Sequence, residues 1–202
     1  MGSYLITVES QGRTPVRLPI QVDRLGHHDG VAPDMDTPEP VYLPRTDRLQ
    51  EDDVYVCAGW TILGGLNPTE DTLPRMNRWV DGFVIRRFPV TNREYIAFLD
   101  DLVAQDREDE ALEHVPRERA ATLAEPGVMI YGRTDSGQFE LRPDADGDLW
   151  LPEMPVVMVS WFGAMTYAAW EADCSGLPWR LPWEMEWEKA ARGADGRNFA
   201  WG

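Results

Sequence analysis

The sequence predicts a mixed fold, with short strands in its first half, three amphipathic or capped helices in its second, and irregular backbone between them. Three observations predict it. Short β-branched runs punctuated by Pro and Gly fill the first 85 residues, helix-start signatures stand at Thr91 and Ser160, and the chain of 202 residues carries 17 Gly, 16 Pro and 9 Trp. No run approaches the roughly 18 apolar residues of a membrane helix, and Met1-Gly2-Ser3-Tyr4 lacks the basic flank and apolar core of a secretory signal, so the chain reads as cytoplasmic.

Within residues 1–52, Tyr4–Val8 and Val16–Ile20 read as strands. Prolines at 15, 19, 33, 38, 40 and 44 confine the remainder to edges and loops, a lead-in to a main domain spanning 53–202. Val54-Tyr55-Val56 opens that domain, Gly59, Gly64 and Gly65 supply turns, and Trp79–Ile85 reads as one further strand.

The first helix starts at Thr91-Asn92-Arg93-Glu94, a capping box in which the threonine hydroxyl takes the Glu94 N–H and the Glu94 carboxylate takes the Thr91 N–H. Tyr95, Phe98, Leu99 and Leu102 then recur at i, i+3, i+4 and i+7, a stripe for a core. Residues 106–121 have helical composition without such a stripe and read as a surface helix or an insertion.

Asp144-Ala145-Asp146-Gly147-Asp148 imitates the start of a calcium loop, but Pro155 stands where the bidentate glutamate belongs. It reads as a turn joining Gln138–Leu141 to Leu149-Trp150. Met154–Val159 reads as a short buried strand, Ser160 caps a helix from Trp161 to about Ala172, and Gly176 stops it.

The third helix runs from Trp183 to Arg192, with Gly193 at its end. Trp183, Trp187, Ala190 and Ala191 share one face, expected to be buried, and Glu188 and Arg192 form an i,i+4 pair. Glu186 flanks that stripe, and a carboxylate drawn into a core needs a cation, for which Arg180 is the candidate.

With 35 acidic against 19 basic residues the net charge is -16, a field that repels phosphate backbones and anionic lipid, so nucleic acid and membrane partners are not expected. Cys57 and Cys174 read as inert packed or half-exposed thiols. His27 and His28 point to opposite faces in extended chain and His114 stands alone, so no transition-metal site follows. No catalytic, cofactor-binding or metal-binding residue is assigned.

Pro89-Val90-Thr91-Asn92-Arg93-Glu94-Tyr95, Pro155 to Ala164 with Tyr167 and Trp170, Arg180 to Gly193, and Ala200-Trp201-Gly202 resemble, in order, the signature blocks of formylglycine-generating-enzyme-like (sulfatase-modifying-factor) domains. The resemblance covers residues 54 to 202. It implies an α+β, C-type-lectin-like variant fold, incomplete at its C-terminus, with Thr91, Asn92, Glu94, Ser160, Trp161, Arg180, Glu186, Trp187 and Arg192 as structural signature residues. The family has Glu where Pro89 stands, Asp where Gly163 stands, and a threonine cap where Trp183 stands, which leaves Glu186 freer for an arginine.

In the oxidases of this family the copper-binding cysteine pair and the calcium loops lie beyond the Trp-Gly block, so copper and calcium are implied only with a further C-terminal part. Neither Cys57 nor Cys174 falls on the catalytic motif. The resemblance therefore implies a recognition or regulatory module or fragment that binds a protein, peptide or small ligand, of the kind associated with bacterial Ser/Thr kinases or conflict systems. The alternative is the N-terminal half of a cysteine oxidase completed by a C-terminal remainder or a complementary chain. If Arg180 and Glu186 pair, Arg180→Met and Glu186→Gln destabilise non-additively in a double-mutant cycle by denaturant unfolding, and additive effects refute the pair.

Overall fold

The computed structural model describes residues 2–65, 73–119, 125–144 and 146–201. Two compact units are present, one formed by residues 1–87 and 182–202 and the other by 88–181. Helices and small antiparallel sheets together make the class α+β.

The first unit holds three strand pairs. β1 (Gly2–Val8) and β2 (Val16–Val22) pair along their whole length, from Gly2 opposite Val22 to Val8 opposite Val16. Pro19 sits within β2 opposite Leu5, a place open to proline in a sheet that consists of two edge strands. The inward residues of β2, Val16 and Ile20, are buried, while Tyr4, Leu5 and Ile6 of β1 are exposed.

β3 (Asp53–Val56) pairs with β6 (Phe83–Arg86), and β4 (Gly59–Leu63) pairs with β5 (Met76–Val80). The single strand expected over Trp79–Ile85 is thus two strands with different partners, broken at Asp81-Gly82. Tyr55 lies against the break. Its ring lies so close to Gly82 that a Cβ there would sit 2.3 Å from the phenolic oxygen, a space only glycine leaves. Strand β4 was not expected, because Gly59, Gly64 and Gly65 dominate its surroundings. It nevertheless alternates cleanly, with Gly59, Thr61 and Leu63 buried. On its other face Trp60 meets its register partner Trp79 edge-on at 5.9 Å and donates its indole N–H to the Val31 carbonyl at 2.9 Å.

The second unit is built on α1 (Asn92–Ala104). Both halves of its capping box are formed: Glu94 N–H donates to Thr91 Oγ1 at 3.3 Å, and Thr91 N–H donates to the Glu94 carboxylate at 2.7 Å. Tyr95, Phe98, Leu99 and Leu102 are buried as the stripe requires, in one cluster with Ala111, Val115, Ile130, Tyr131, Phe139 and Tyr167. Only Glu108–His114 of the expected surface helix is helical (α2); Pro116 follows its end, and residues 120 and 121 lie outside the described ones.

β7 (Tyr131–Arg133) pairs with β8 (Phe139–Leu141), so the hairpin partner of β8 lies before it and not at Leu149-Trp150. The Asp144 to Asp148 turn is closed separately by one bridge between Pro143 and Leu149. Met154–Val159 is not a buried strand either. It makes one bridge, Pro155 to Thr91, with Val156 N–H on the Val90 carbonyl at 2.9 Å, and Val157 and Met158 are exposed. Met158 has a positive φ of 57°, which turns the chain out of the extended line just before the next helix.

α3 (Trp161–Ser175) starts with Ser160 Oγ accepting the Gly163 N–H at 3.0 Å and ends at Gly176. A Cβ on Gly163 would lie 2.8 Å from the Tyr95 hydroxyl, so the helix approaches Tyr95 where no side chain fits. α4 (Glu184–Arg192) belongs to the first unit and ends at Gly193.

Gly82→Ala is expected to destabilise the protein by about 1–3 kcal/mol, since overpacking pushes the Tyr55 ring off the β3–β6 pair. Gly82→Ala in a Tyr55→Phe background should lose less, because the clashing oxygen is gone. Denaturant unfolding of the four proteins checks this, and equal losses in both backgrounds would show that Tyr55 is not the obstacle.

Candidate functional site

In α4 the short helix is mounted with its polarity reversed. Trp183 is 68% exposed and Trp187 61%, and Ala190 and Ala191 are exposed with them, so the stripe expected in the core faces outward. The side of α4 turned to the strands carries Lys189, only 3% exposed, with Glu188 and Arg192 beside it. Charge is what holds the helix. Lys189 Nζ donates to the carbonyls of Gly59 and Val80, each at 3.1 Å, and these two residues face each other in the β4–β5 register.

Glu188 and Arg192 form the i,i+4 ion pair that the sequence suggests, but not on the surface. Glu188 Oε1 also accepts the Gly64 N–H at 2.8 Å. Arg192 donates to the carbonyls of Arg197 at 2.6 Å and Gly64 at 3.3 Å. Each partly buried charge therefore has neutral partners as well as its counter-ion, which offsets the desolvation a lone pair would suffer. Beyond the helix, Arg197 grips Asp195 through two nitrogens at 2.9 and 2.8 Å and holds that carboxyl well below the usual carboxylate range.

The ordinary cap of α4 is missing, since Trp183 offers no oxygen. The reciprocal half survives: Trp183 N–H donates to the Glu186 carboxylate at 2.8 Å. Glu186 is thus a half-buried acceptor at the start of the helix. Arg180 is exposed, in the second unit, and donates to the Leu181 carbonyl at 3.0 Å.

Asn92 is a signature residue with several partners. Buried in the second unit, it receives the Tyr131 hydroxyl on its side-chain oxygen at 2.6 Å and donates to the Leu151 carbonyl at 3.0 Å, and its backbone N–H reaches the Met154 carbonyl at 2.9 Å. It locks the cap of α1 to β7 and to the segment that leads into α3. Tyr95 similarly donates to the His114 carbonyl at 3.0 Å. Burial pushes both phenols well above their ordinary pKa, so they stay protonated donors. Ser160 caps, as expected, but Trp161 is 63% exposed, beside Phe162 at 67%.

Both cysteines are free thiols, Cys57 buried and Cys174 exposed. Burial raises the Cys57 thiol despite the nearby Lys189 cation. Cys174 is raised by desolvation and then by Asp101, Glu171 and Asp173. Neither is activated as a thiolate nucleophile would be. Asp144 spends its carboxylate on the backbone N–H groups of Asp146 and Asp148, at 3.1 and 2.8 Å, and on the Trp150 indole at 3.0 Å. It thus acts as the organiser of a turn, and no group of three or more metal-ligating side chains occurs among the described residues.

A family model for the sulfatase-modifying factor enzyme 1-like domain matches residues 40–202. The chain belongs to that family. This sulfatase-modifying-factor-like chain is also similar to the uncharacterized protein YfmG of Bacillus subtilis (strain 168). The two are 26% identical over 169 residues, covering 79% of this chain and 29% of that protein, so the chain spans less than a third of its relative's length. No helix among the described residues is long and apolar enough to cross a membrane.

Lys189 carries a pH signature. Burial lowers its pKa from 10.5 to about 8, with Cys57 and Asp81 opposing the fall. Between about 8 and 10.5 the unfolded chain holds more protons than the folded one, so this residue's contribution to stability rises with pH across that window and is flat below it. The unfolding free energy of the wild type minus that of Lys189→Met should therefore climb on the order of 2–3 kcal/mol from pH 7.5 to 10.5. Urea titrations at both pH values check it, and a constant difference would mean that folding leaves the Lys189 pKa at its unfolded value.

Proposed function

We propose that this sulfatase-modifying-factor-like domain is a non-catalytic recognition or regulatory module, a C-type-lectin-like variant scaffold that binds another protein in the cytoplasm. A bacterial signalling or conflict system is the setting that its sequence blocks suggest. One observation carries the reading: large aromatic side chains stand exposed on two helices, Trp161 and Phe162 on α3 and Trp183 and Trp187 around α4. Surface tryptophan on rigid elements is what protein recognition uses, since it offers much contact area for little lost conformational freedom. The chemically able side chains are meanwhile engaged in the fold. Lys189 holds strands, Glu188 and Arg192 hold each other, and neither thiol is activated.

Photo-cross-linking tests the reading. A photoreactive phenylalanine analogue at position 161 or 183, in the full chain expressed in its own cells, should give an adduct with one discrete polypeptide, and the same analogue at exposed Asp135 should not. Alongside it, the purified chain with copper and oxygen should leave a cysteine-containing sulfatase peptide unchanged. Formation of formylglycine, or equal adducts at all three positions, overturns the module.

A further inference from the structure

We draw no further inference here: the strongest candidate, the exposed apolar patch of Trp161 and Phe162 with Met158 and Met165 at the start of α3, carries nothing because nothing in the structure shows what covers it.

Discussion

Lys189 reaches from α4 to the carbonyls of Gly59 and Val80, the facing residues at one end of the β4–β5 ladder, and the arrangement of the first unit follows from that contact. A buried ammonium is costly unless donors and acceptors match. Two carbonyl acceptors fix its position, so the helix has little freedom to rotate. Glu188 and Arg192 then complete the contact by taking up the N–H and C=O of Gly64 just past the end of β4. Polar groups that need partners with fixed geometry orient the helix more sharply than apolar burial would, and they leave its tryptophans on the outside.

The second unit solves a similar problem by the opposite means. Its core is aromatic, with Tyr95 stacked on Tyr167 at 5.6 Å and Phe98 edge-on to both at 5.3 and 5.7 Å. Buried Asn92 pins loops there, holding β7 and the segment before α3. Gly163 leaves room for the Tyr95 hydroxyl, so packing density and hydrogen bonding are settled by the same close approach.

Local signals were the legible part of the sequence. The Thr91 capping box, the Ser160 cap, the stop at Gly176 and the stripe from Tyr95 to Leu102 all act within a few residues, and each appears where its spacing puts it. So do the two strands read at Tyr4–Val8 and Val16–Ile20, which lie within β1 and β2. The blocks that resemble the sulfatase-modifying-factor family led to the family that the match over residues 40–202 shows. The turn at Asp144 was also readable, because an aspartate that bonds its own downstream backbone needs no distant partner.

Tertiary structure decided the rest, where the deciding atom is far along the chain. Trp79–Ile85 reads as one strand, but its two halves pair with different partners, β4 and β3, far back along the chain. Periodicity put Trp187 on an apolar stripe but could not say which way the stripe faces, since that depends on carbonyls at Gly59 and Val80, more than a hundred residues away. By itself, then, the sequence determined where helices begin and end and which residues share a face, because those follow from bonds within one or two turns. For α4, which face is buried was decided only in three dimensions, where Lys189 finds its two carbonyl acceptors on β4 and β5.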